Sequence, residues 1–188
     1  YAFDRKTGKE AWRFKAGGRF IAPPTVSGGI VYAGAGDKKL YALDAKTGKE
    51  TQKPFEAKGV INTAVAASGD YIVFGSYDNY IYVLEKDDLS RIVWLRRLGD
   101  WIDSTPTIVD GMVYIGCNDS FLYKFKLDDG ELQWRAKTGG PVYSTPVVAD
   151  EKVYISSWDG KVYAFDAADG HRIWRTKVDE QASASLAL

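Results

Sequence analysis

Enzymatic chemistry needs groups that move protons, attack electrophiles or hold metals, and this chain has few of them placed to cooperate. It contains one histidine, His171, and one cysteine, Cys117, in 188 residues. A serine–histidine–acid constellation requires a histidine beside a nucleophile. His171 follows Gly170 in a turn, with no nucleophile or metal partner in view. Cys117 occupies the slot filled in other repeats by Ala35, Ser76 and Ser157, a small-residue position that suits a structural thiol. A single cysteine forms no internal disulfide and no multi-cysteine metal site. The carboxylate pairs Asp87-Asp88 and Asp128-Asp129 fall in outer turns and are expected to be solvated rather than to act as acid and base. Gly34-Ala35-Gly36 enters a β-turn and so lacks the helix N-terminus that a phosphate cradle uses. Asn118-Asp119-Ser120 fits a glycosylation sequon, a tripeptide common by chance. The expectation is no catalytic residue, no metal ligand and no cofactor.

Composition narrows the partners. Lysine plus arginine number 25 and aspartate plus glutamate 25, so the net charge is zero and gives no electrostatic case for nucleic acid or an anionic membrane. Hydrophobic residues make up 45% and charged residues 27%, the balance of a folded domain rather than a disordered one. No apolar run approaches the ~18 residues that a membrane-spanning helix needs. Aromatic residues at 14%, with 19 glycines and 12 tyrosines, point toward all-β repeats.

The elements that must position these side chains recur every 40 or 41 residues. Tyr1, Tyr41, Tyr82, Tyr123 and Tyr163 share one column, and Trp12, Gln52, Trp94, Trp134 and Trp174 another. Asp37, Asp78, Asp119 and Asp159 mark a turn, and Pro24, Ala64, Pro106, Pro146 and Leu186 a further column. Within one period the apolar residues alternate with period two. Residues 142–148, 152–157, 161–166 and 172–176 read as four strands, with Asp-Gly and Asp-Asn at the turns supplying positive φ. Four short antiparallel strands in about 40 residues make one blade of a β-propeller. The predicted fold is an all-β, incomplete propeller. It has a partial blade at 1–18, blades at about 19–58, 59–100, 101–140 and 141–179, and an inner strand at 181–188. Such a chain is expected to be a segment of a ring of about seven or eight blades, with self-association through open blade faces as one outcome. Gln52 followed by Pro54, and the extra residue in 85–90, predict irregular outer strands in those two repeats. Gln52 is also expected to tolerate substitution, with tryptophan there as a stabilising change.

The blocks YAFDRKTGKEAW at 1–12, YALDAKTGKE at 41–50 and YAFDAADGHRIW at 163–174 resemble the quinoprotein-type propeller repeat, the pyrroloquinoline quinone-like family. The resemblance covers essentially the whole chain and implies that Trp12, Trp94, Trp134 and Trp174 dock each blade against the next. Similar repeats build an outer-membrane β-barrel assembly lipoprotein of the bacterial envelope. The resemblance therefore implies a non-catalytic scaffold that binds another protein in the periplasm or another extracytoplasmic compartment. Two other functions fit such repeats: a quinoprotein dehydrogenase using pyrroloquinoline quinone and calcium, and a propeller that binds polysaccharide or a small ligand. The dehydrogenase reading implies adjacent cysteines, acidic and amide calcium ligands and a catalytic aspartate, and the sequence offers neither the cysteines nor a ligand cluster.

Hydroxyls of Ser104-Thr105 and Ser144-Thr145 begin the innermost strands, in a channel-facing or structural role. Arg19, Trp101, Asp103 and Tyr143 differ between repeats in the loop entering that strand, and variation at one rim is where a specific surface is built. With Phe20 and Ile102 as further apolar anchors, these are the candidate partner-binding residues.

Overall fold

The computed structural model describes residues 1–178 and 181–186. Asp179, Ala187 and Leu188, which the expected last blade and inner strand include, lie outside the described residues. A two-stranded ribbon, β1 (Ala2–Phe3) and β2 (Glu10–Trp12), precedes four antiparallel four-stranded sheets. The first blade is β3 (Thr25–Ser27), β4 (Ile30–Gly34), β5 (Lys39–Asp44) and β6 (Phe55–Glu56). The second is β7 (Ala66–Ser68), β8 (Tyr71–Gly75), β9 (Tyr80–Glu85) and β10 (Ile92–Arg97). The third is β11 (Thr107–Val109), β12 (Met112–Cys117), β13 (Phe121–Lys126) and β14 (Leu132–Lys137). The fourth is β15 (Val147–Ala149), β16 (Lys152–Ser157), β17 (Lys161–Asp166) and β18 (Arg172–Lys177). Each sheet is a meander in chain order, so the molecule is an incomplete β-propeller. Among the described residues no helix is long and apolar enough to cross a membrane.

Turn chemistry sets each meander. Lys38, Asn79, Ser120 and Gly160, each following the column aspartate, take φ of 70°, 72°, 72° and 75° between the second and third strands. A lysine and a serine thus adopt the left-handed conformation as well as asparagine and glycine. The innermost strand is shorter than its sequence pattern: 142–148 reads as a strand, but pairing begins only at Val147. The preceding residues leave the sheet to build the mouth of the propeller.

Second and third strands are buried along nearly their whole length because blades pack on both faces. Val113 pairs with Phe125 and Ile115 with Tyr123, and one cluster joins them to Val73, Ile81, Val83 and Trp94 of the preceding blade. Equivalent clusters join the first blade to the second and the third to the fourth.

The tryptophan column lies in these seams. Trp12, Trp94 and Trp134 donate their indole N–H to the carbonyls of Ala45, Leu127 and Ala167, each in the following blade, at 3.0, 2.7 and 3.2 Å. Each ring lies on the turn glycine of that blade: a Cβ on Gly130 would meet the Trp94 ring at 2.5 Å, and one on Gly170 the Trp134 ring at 2.6 Å. Trp174 departs from the expectation. It is 41% exposed, against 8% for Trp134, because no following blade lies against β18 among the described residues.

Gln52 also departs from it. Its Nε2 donates to Lys86 O at 3.1 Å, the position equivalent to Leu127 and Ala167, and its Oε1 accepts from the Leu89 N–H at 2.7 Å. Buried Leu89 stands where other repeats carry the glycine platform, so glutamine and leucine together replace tryptophan and glycine. Gln52→Trp is therefore expected to destabilise by ~1–3 kcal/mol through overpacking. Adding Leu89→Gly should recover part of that loss in thermal or denaturant melts. The β6 strand is cut to two residues, as the Gln52 repeat suggested, but β10 runs a full six despite the added residue in its turn.

Candidate functional site

Two sets of connections meet at one end of the blades: those leaving each fourth strand for the next innermost strand, and the turns between second and third strands. The turn aspartate ties them together. Asp119 accepts from the Gly99 N–H at 2.8 Å, the Phe121 N–H at 3.1 Å and the Tyr123 hydroxyl at 2.7 Å. Asp37 and Asp78 make the same bonds to Gly17 and Tyr41, and to Lys58, Gly59 and Tyr82. The tyrosine column is thus the partner of the aspartate column. Desolvation in the seam, and then the neighbouring carboxylate, push the Tyr82 and Tyr123 hydroxyls well above their ordinary pKa.

Below the connections, hydroxyls tie the innermost strands of neighbouring blades together. Ser104 Oγ accepts from the Gly116 N–H at 3.1 Å and donates to Ser144 O of the next blade at 2.8 Å. Ser144 Oγ accepts from the Ser156 N–H and donates to Ser156 O, both at 3.0 Å. Thr105 and Ser185 accept the backbone N–H of Ala64 and Thr145 from the preceding blade, at 3.2 and 3.0 Å. Ser104 and Ser144 face no channel water, since both are fully buried. The geometry also moves one alignment column: Ala64 matches Thr105, and Val65, whose carbonyl accepts the Thr25 hydroxyl as Pro146 accepts that of Thr107, takes the proline position.

The mouth is a cavity of about 510 Å³ lined by Tyr77, Trp101, Asp103, Asn118, Tyr143, Trp158, Gln181 and Ser183. Asp103 lies at its polar centre. Its Oδ1 accepts from Asn62 Nδ2 at 3.0 Å and from the Tyr77 hydroxyl, and its Oδ2 accepts from Asn118 Nδ2 at 3.0 Å. Burial, and then the hydrogen bond to Asp103, push Tyr77 up to about 12. Tyr77 stacks on Trp101 at 4.9 Å and 9°, and Tyr143 meets Trp158 edge-on at 4.8 Å. Trp101 is still 51% exposed and Trp158 41%.

Of the residues singled out in the sequence, the structure brings Trp101, Asp103 and Tyr143 to this cavity. Arg19 and Phe20 belong to the first blade and do not line it; Phe20 packs against Phe14 and Tyr41 beside the N-terminal ribbon. Ile102 is no rim anchor. It is fully buried, its Cγ2 seated against Gly75 of the preceding blade. Sequence reasoning missed Asn62, Tyr77, Asn118 and Trp158. For the last three the signal was the residue before each turn aspartate, which changes from Gly36 to Tyr77, Asn118 and Trp158 within an otherwise regular repeat.

The model of the family described as outer membrane protein assembly factor BamB matches residues 1–51 and 50–181. The chain belongs to the BamB family. BamB of Xanthomonas campestris is 29% identical over 126 residues, which is 67% of this chain and 30% of that protein. The solved structure of BamB from Moraxella catarrhalis superposes with a TM-score of 0.80 at 25% identity, covering 93% of this chain and 53% of that one. The repeat is shared more widely. The quinoprotein alcohol dehydrogenase PedH of Pseudomonas putida is 29% identical over 125 residues, 57% of this chain and 21% of that enzyme. The chain thus spans between about a fifth and a third of these curated relatives, and about half of the solved BamB.

The mouth does not fit a quinone–calcium site. Asp103 is the one carboxylate among the described residues of its wall, and the Asn62 and Asn118 amides turn NH2 rather than oxygen toward it. Cys117 is a lone buried thiol, pushed up to about 12 by desolvation. Elsewhere, Asp166, Asp169 and His171 approach one another in the turn between β17 and β18, where Asp169 and His171 are exposed side chains on an outer turn.

Proposed function

We propose that this chain is a non-catalytic propeller scaffold of the bacterial envelope, which binds a protein of outer membrane assembly through the mouth lined by Trp101, Asp103, Tyr143 and Trp158. The observation that carries the reading is exposure. Trp94 and Trp134 are spent in blade seams, whereas Trp101 and Trp158 stand open around one cavity, and exposed tryptophan and tyrosine at a rigid rim are characteristic interface anchors. The match to the BamB family along nearly the whole chain supports a periplasmic setting and a protein partner.

A photo-activated cross-linking residue at Gln181, in protein exported to the periplasm of a bacterium lacking its own BamB, tests this. Adducts with a subunit of the outer membrane assembly machinery are expected from position 181 and not from Lys49 on an outer turn. Equal yields from both positions would overturn the reading. So would a saturable, stoichiometric spectral change on adding pyrroloquinoline quinone and calcium.

A further inference from the structure

The mouth has a chemistry of its own. Among the described residues that line it Asp103 carries the only formal charge, and every other is an aromatic, an amide or a hydroxyl. Oδ1 of Asp103 already accepts two hydrogen bonds, from Asn62 and Tyr77, while Oδ2 accepts one, from Asn118. A carboxylate oxygen accommodates two donors, so Oδ2 retains an acceptor site. The three donors fix the carboxylate in place, so a ligand meets it preorganised.

Aromatic rings line the same cavity. Tyr77 backs one face of Trp101 and leaves the other open, and Trp158, held edge-on by Tyr143, forms a second wall. Negative potential reaches this wall as well: after desolvation, the charges of Asp103 and Asp100 are what raise the Tyr143 hydroxyl. A carboxylate flanked by aromatic faces attracts a cation that can donate hydrogen bonds and lie over a ring. A neutral sugar would use the same rings but gain nothing from the charge, and an anion would be repelled.

We infer that the mouth is a cation-binding pocket that takes a guanidinium or ammonium side chain, an arginine or lysine presented by the partner protein, on Asp103 between Trp101 and Trp158. The inference rests on the scaffold reading above for the source of the side chain, but not for the chemistry of the pocket. Arginine suits it better than lysine, because its planar head stacks on an indole while donating to a carboxylate.

The test uses the whole chain and n-butylguanidinium chloride, titrated at constant ionic strength and followed by the indole N–H signals of Trp101 and Trp158. Saturable shifts of those two signals are expected, with n-butylurea, the neutral isostere, producing none. Asp103→Asn should weaken binding by roughly tenfold or more, an effect of removing the charged partner. Trp101→Ala, at a half-exposed position, should weaken it as well if Asp103→Asn proves unstable. Equal binding of guanidinium and urea, or binding unchanged in a folded variant, would overturn the inference, as would shifts produced by a neutral oligosaccharide alone. Failure here with specific cross-linking from Gln181 would leave the scaffold standing without a cation pocket. Guanidinium binding with no cross-linking would leave the pocket and remove the scaffold.

Discussion

Trp134→Ala is expected to cost the protein ~3–5 kcal/mol, the range for deleting a large aromatic from a packed interior. Three losses combine: the buried ring itself, the Ala167 carbonyl left without its indole donor, and a slot over Gly170 that the blades cannot close without moving. Lys124 acts both ways: its ammonium loses the ring 6.0 Å away, but it still donates to the Ala167 carbonyl at 2.6 Å, so that oxygen keeps one donor. Trp174→Ala, in the same column, is expected to cost less than ~1 kcal/mol, because its ring is already open to solvent in this chain. Chemical denaturation of the two variants beside the parent checks both values. Equal losses would mean that the tryptophans act within their own blades rather than between them.

Gly116→Ala is the second large effect. A Cβ there would land within 2.8 Å of both Cβ and the carbonyl oxygen of Val142, which plugs onto the glycine from the following connection. Neither atom belongs to the flexible end of a side chain, so the seam must open, at ~1–3 kcal/mol for an overpacked core. Gly111→Ala provides the contrast. Its φ is 71° but nothing lies within 4 Å, so only backbone strain of about 1 kcal/mol is at stake. Urea midpoints rank the two. A second change, Val142→Ala, removes only the Cγ1 that would lie 2.3 Å away and keeps the Cβ and the carbonyl, so it should restore only part of the Gly116→Ala loss.

The repeat was legible because each column does one local job: tyrosine and aspartate bond across four residues, and alternating apolar residues fill the seams. What repetition concealed is who the neighbour is. Trp174 has the phase of Trp134, but phase says nothing of whether a blade stands opposite. Ile102 looked like a rim residue beside Trp101, yet consecutive residues of an extended connection point opposite ways, and Ile102 turns inward onto Gly75. Gln52 looked like a defect until Leu89 was seen beneath it, a compensation between residues 37 positions apart. The mouth was half legible. Its connection residues varied visibly, but Asn62, Tyr77 and Asn118 meet Asp103 only when successive blades converge.

The bonds between blades also set the order in which the protein can form. Trp12, Trp94 and Trp134 reach carbonyls 33 residues ahead, Ser104 reaches 40 ahead, and Thr25 reaches 40 ahead. Every seam therefore closes a loop of similar, modest length, and loop-closure entropy grows only by about 0.6 kcal/mol for each doubling. Among the described residues no seam needs a segment several blades away. As the chain leaves the ribosome, each meander can settle against the one made just before it, with the previous tryptophan waiting roughly 33 residues of synthesis for its acceptor. Assembly then advances like courses of brickwork, and each unfinished course exposes one blade face at a time.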